Sequence, residues 1–236
     1  MSWTFVNSGS NGSSGSATTL AASVASVQAG DVAIVGIKWE DGGPGTVTCS
    51  DGTSSLTEYA PAEQGVGGAD QWIDMFYLLS SVATGTVTYT VTFNAARTWR
   101  GICAMAWRPS AAASLDGTAV QNDGTSAVVN SGNITTTGAD GLAVGFYGEF
   151  GRTFSSVLIN GVAVAQSVTN SASGQKDQMF ARTYSAGFTG AASGGLDASE
   201  QWNVGLLAFN IGGGGAAFIA RRNAPQLQAV KRASLY

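Results

Sequence analysis

Histidine is absent from the 236 residues of this chain. That removes Ser–His and Cys–His nucleophile pairs, His-ligated zinc and the commonest general base together. Charge is scarce as well: Asp, Glu, Lys and Arg make up 11% of the residues, well below the roughly 25% of an ordinary globular protein. The two cysteines, Cys49 and Cys103, are too few for a disulfide framework and sit in strand-like contexts that suit buried thiols. No apolar run reaches the ~20 residues of a membrane-spanning helix. The opening MSWTFVNSGS has neither a basic segment nor an apolar one, so no secretory leader is expected. Phosphate cradles of the GxxxxGK[ST] or strand-linked GxGxxG type are missing too. The expectation is a non-enzyme made in a cytoplasm, with no cofactor, metal or membrane contact.

What the chain does have is small and hydroxylated. Hydrophobic residues reach 44% and glycine 33 positions, with Ser and Thr throughout. Such a composition fits close-packed β-structure, where Thr and Val suit the pleated surface and Gly makes turns. GTVTYTVTF (85–93) alternates Val87, Tyr89, Val91 and Phe93 with threonines, the period of a half-buried strand. GDVAIVGIKW, DQWIDMFYLL, RTWRGICAMAW, DGLAVGFYGE and QWNVGLLAFNI read as further strands, with one or both faces buried. EDGGPG, SDGTSS, LDGT, NDGT and INGV punctuate them as turns. The fold class expected is all-β, an antiparallel β-sandwich of jelly-roll-like type.

A weak duplication runs through the body. AGDVAIVGIKWE (29–40) matches ADGLAVGFYGEF (139–150), placing Asp31 on Asp140 and Glu40 on Glu149. TWRGICAMAW matches QWNVGLLAFN, placing Trp99 on Trp202. The two halves, about 29–109 and 139–211, then supply the same run of strands within a body of residues 1–211. They could interleave in one jelly-roll-like domain or form two tandem sandwiches. The single domain is favoured, and Trp99 and Trp202 are expected in equivalent core positions.

Candidate chemistry is thin. Glu40 and Glu149 could face one another across a pseudo-twofold as a glycosidase-like acid pair, although each reads more plainly as a solvated strand–loop junction. Trp39 and Tyr147 beside them could offer stacking platforms to a glycan, although large aromatics more often fill cores. DGT occurs three times (Asp51, Asp116, Asp123), but Asp-Gly is a common turn dipeptide and no loop gathers enough acids for calcium.

The end of the chain differs from the rest. The last acidic residue is Glu200, while Arg221, Arg222, Lys231 and Arg232 follow it. Residues 1–215 hold 7 basic and 15 acidic groups, a charge of −8, against +4 for residues 216–236. An acidic body repels nucleic acid. Residues 212–236, opening on Gly212–Gly215, read as a glycine hinge and an extended C-terminal arm. In it Phe218, Ile219, Leu227, Val230, Leu235 and Tyr236 would bury against a partner while its basic groups find acids.

WTFVNSGSNGSSGSATTLAASV, AGDVAIVGIKWE, FYLLSSVATGTVTYTVTF and SGNITTTGADGLAVGFYGE together resemble β-sandwich virion proteins of tailed bacteriophages. The resemblance spans residues 1–211 and brings no catalytic motif. It implies a structural component of a particle: a capsid decoration (cement) protein anchored by its arm, or else a tail, baseplate or fibre component of a kind that can bind glycans. The partners implied are other virion proteins and further copies of the chain, with assembly in the host cytoplasm.

Overall fold

A computed structural model describes residues 2–40, 45–59, 64–65, 71–149, 151–170 and 176–212. Among them there is no helix, and the chain is an antiparallel all-β protein, as its alternation requires. Of the hinge and arm expected over 212–236, residues 213–236 lie outside the described residues.

The first half contributes β1 (Trp3–Ser13), β2 (Ala17–Val27), β3 (Val32–Glu40), β4 (Val47–Ser50), β5 (Thr57–Glu58), β6 (Gln64–Gly65), β7 (Gln71–Leu78) and β8 (Gly85–Pro109). The 25-residue β8 belongs to two layers. Its first stretch pairs with β2 and β4, and its second with β1 and β3. β7 and then β5 continue the second layer. The first strand thus pairs with the end of the last, and the second strand with its beginning. A long hairpin folded over itself in this way is the winding of a jelly roll.

The second half repeats the plan. It holds β9 (Ala113–Leu115), β10 (Val120–Asn130), β11 (Ile134–Thr135), β12 (Gly141–Glu149), β13 (Phe154–Ile159), β14 (Val162–Ala163), β15 (Gln166–Asn170), β16 (Asp177–Tyr184), β17 (Thr189–Gly190) and β18 (Ala192–Ile211). The order β10–β18–β12–β16–β15 mirrors β1–β8–β3–β7–β5, and β13 pairs with the start of β18 as β4 does with β8. Among the described residues every strand pairing joins strands of the same half. The halves therefore do not interleave, and the tandem arrangement is the one adopted.

Three apolar cores result. One fills the first sandwich (Val35, Ile37, Trp39, Tyr89, Val91), and one fills the second (Ala143, Tyr147, Phe180, Val204, Leu206). The third is the seam where the sandwiches meet (Ile34, Met105, Phe146, Leu207, Phe209). β3 and β12 face a core on each side, and all nine residues of each are buried. Hence VAIVGIKWE and GLAVGFYGE are nearly continuous apolar runs, while GTVTYTVTF, with one wet face, alternates.

The duplication needs one correction. β3 pairs with β8 as Val32↔Trp107, and β12 with β18 as Gly141↔Asn210, so the sequence alignment pairs the right strands. Its side chains nevertheless point the wrong way: Ala33 lies in the first core, whereas its aligned partner Leu142 lies in the seam. A shift of one residue exchanges the faces of a strand. Trp99 and Trp202 likewise occupy corresponding strands but not equivalent cores. Trp202 is buried in the second sandwich, while Trp99 is 40% exposed with a φ of 44°.

Candidate functional site

The seam is closed by side chains that enter hollows over glycines. A Cβ on Gly36 would lie 2.3 Å from the Phe146 ring, and one on Gly101 would lie 1.4 Å from Asp177 Oδ2. In the other direction, a Cβ on Gly148 would meet Ile73 at 2.9 Å and Lys38 Cγ at 3.0 Å, and one on Gly205 would meet Met75 Sδ at 3.0 Å. Each sandwich thus inserts two or more side chains into the other at positions where the partner has no side chain.

At one end these side chains are charged. Lys38 stands near the C-terminal end of β3 and is completely buried. Its Nζ donates to Glu40 Oε1 at 2.6 Å and, across the seam, to the Glu149 carbonyl oxygen at 3.1 Å. Asp177, also fully buried, accepts from Asn170 Nδ2 at 2.9 Å. Asn203 Nδ2 reaches the Gln71 carbonyl oxygen at 3.4 Å. Five buried polar atoms around this row have no hydrogen-bond partner among the described residues: both amide atoms of Gln71, Asn203 Oδ1, Asp177 Oδ1 and Glu149 Oε2.

Burial raises both acids. Asp177 is pushed up to about 6, with Lys38 and then Asn170 pulling it back. Glu149 is pushed up to about 7 against the opposing N–H groups of Arg152 and Gly151 and the charge of Lys38. The folded state therefore holds protons that the unfolded chain, with ordinary values of 3.8 and 4.5, has released. This contribution is complete below about pH 4 and disappears as pH rises through 6 and 7, at about 1.4 kcal/mol per pH unit for each group. Thermal unfolding followed from pH 5 to pH 7.5 should show a midpoint that falls with pH. Asp177→Asn together with Glu149→Gln should flatten the slope. A midpoint that stays level or climbs over this range would contradict the assignment.

The residues singled out from sequence fall differently from expectation. Glu40 and Glu149 are brought close, but through Lys38 and a backbone carbonyl, not as two carboxylates facing each other across solvent. Both are buried and neither is a solvated junction. Trp39 and Tyr147 have no exposed ring face: Trp39 meets Phe93 edge-on at 5.6 Å, and Tyr147 stacks on Phe154 at 4.2 Å. Neither can hold a sugar as a stacking platform. The arm residues Phe218, Ile219, Arg221, Arg222, Leu227, Val230, Lys231, Arg232, Leu235 and Tyr236 lie outside the described residues.

Lys38, Asp177, Asn170, Asn203 and Gln71 were not singled out from sequence. One signal was available, since a lysine inside the apolar run VAIVGIKWE must find an anion if both faces of its strand are covered. Cys49 and Cys103 are both free and buried, and burial raises each thiol, Cys49 to about 12. No group of three or more Cys, Asp or Glu among the described residues is arranged to hold a metal ion. The chemistry open to the seam is that of an internal clamp which can carry protons near neutral pH. Comparisons with protein families, with curated proteins and with solved structures found no match for this chain.

Proposed function

We propose that this protein is a non-enzymatic structural component of a bacteriophage virion, and specifically a capsid decoration protein anchored through residues 213–236. The observation that carries this reading is the seam. Two jelly-roll-like sandwiches are fused over a continuous apolar face, and the buried ionisable groups Lys38, Glu40, Glu149 and Asp177 meet within it. The result is a closely packed block whose exposed residues include many Thr, Ser and Gly, a build that suits a part which must endure rather than turn over. The charge contrast between the −8 body and the +4 arm favours attachment of the arm to an acidic neighbour or to another copy of the body.

The test is to purify particles and label them with gold-conjugated antibody to the sandwich body, alongside particles given only a chain ending at Gly212. Labelled heads with the full chain, and bare heads with the truncated but folded chain, are the expected result. Label on tails would move the protein to a tail or baseplate role, and absence of the protein from particles would end the virion reading. Normal incorporation of the truncated chain would remove the arm as the anchor.

A further inference from the structure

The outer sheet of the first sandwich carries a polar surface that the seam does not use. There β2, the first stretch of β8, and β4 lie side by side. Thr19 pairs with Thr92 and Thr92 with Thr48, Ala21 with Thr90 and Thr90 with Ser50, and Ser23 with Thr88. Because alternate residues share a face, these side chains form a grid spaced by ~4.8 Å between strands and ~6.7 Å along them. Ser23 Oγ and Thr88 Oγ1 lie 2.8 Å apart. The inward residues of the same stretch, Val87, Tyr89, Val91 and Phe93, are buried, so the grid is fixed from behind.

Over part of this face runs a groove of about 470 Å³ whose walls include Ser50, Asp51, Thr86, Thr88, Thr90 and Thr92. That is within the ~300–1,000 Å³ of small-molecule sites. Asp51 is 8% exposed. Its Oδ1 accepts from the Thr53 and Ser54 amides at 2.8 and 2.5 Å, which fixes the turn. Among the described residues its Oδ2 has no hydrogen-bond partner. Buried polar atoms are ordinarily satisfied, so an unpartnered one in the wall of a groove points to something that completes it.

We infer that this groove binds a neutral saccharide. Hydroxyl side chains both donate and accept, which matches a polyol whose own hydroxyls do the same. Their methyl groups offer small apolar patches to the C–H face of a sugar ring. The walls among the described residues include an acidic side chain, Asp51, and no basic one, so phosphates and acidic glycans are disfavoured while the unpartnered Asp51 Oδ2 is left to accept from a sugar hydroxyl. The site is independent of the seam and of any place in a particle.

The test applies the full chain to an array of neutral and acidic oligosaccharides, then measures the best neutral binder by calorimetry. Thr88→Val and Thr90→Val keep shape and remove one hydroxyl each, and each should weaken binding roughly tenfold. Asp51→Asn, which can keep the turn, should do the same. Trp99→Ala, on the seam-side stretch of β8, should leave affinity unchanged. The inference is overturned if no neutral saccharide binds, if acidic glycans bind better, if both Thr→Val variants bind as the parent does, or if Trp99→Ala abolishes binding.

Discussion

Gly101→Val is expected to lower the thermal midpoint by roughly 10 °C or more, with the sandwiches losing their fit. Even a single methyl at this position would sit 1.4 Å from Asp177 Oδ2 and 2.6 Å from Asn170 Nδ2. Asp177 would have to leave its place and, with it, the bond to Asn170. Overpacking a core costs about 1–3 kcal/mol, and dislodging a buried charge from its partners costs about 3–5 kcal/mol. For a chain of this size each kcal/mol moves the midpoint by about 2–4 °C. Gly195→Ala is the control, because a Cβ there would meet nothing closer than 3.8 Å. Differential scanning calorimetry of the two variants decides the matter: equal midpoints would mean that the glycine hollows do not set the seam.

Lys38→Met should be the second severe change, and its severity should depend on pH. At pH 8 Asp177 and Glu149 have lost their protons, and removing the ammonium leaves them buried without a counter-charge, at a cost of about 3–5 kcal/mol. At pH 5 Asp177 and Glu149 hold protons, so the penalty should be smaller. Lys38→Met combined with Glu40→Gln and Asp177→Asn removes charge of both signs and should recover most of the loss. Urea unfolding at both pH values gives these numbers. A single variant as stable as the parent at pH 8, or a triple variant no better than the single one, would show that the row is not an electrostatic clamp.

The sequence made the strands plain because their periods follow directly from burial. GTVTYTVTF alternates since one side of it is wet, and GLAVGFYGE does not since both sides are dry. The doubling of the body was visible in matching strands, yet the side-chain faces were not, because a repeat aligned one residue out looks as good in letters as the correct one. Trp39 and Tyr147 show the same limit. Their neighbours suggested loops at strand ends, whereas each lies on a strand covered by a core on its own side. The polar row was the least legible part. Lys38 reaches a carbonyl 111 residues away, and no local pattern reveals which strand faces which across a seam between two halves.

The seam also bears on how the protein comes to exist. Synthesis delivers residues 1–109 first, and those residues can close every strand pairing of their own sandwich before the second half emerges. Until it does, Val32, Ile34, Cys103, Met105 and Trp107 form a bare apolar wall, with Lys38 uncovered at one end. A nascent chain in that condition is prone to meet another like itself, since a half-built intermediate sticks by the same surface that completes it. Two nascent chains could even exchange second halves, each capping the other's wall. The hazard is temporary, and the yield of correctly closed chains should therefore depend on translation rate and crowding more than on the stability of the finished protein.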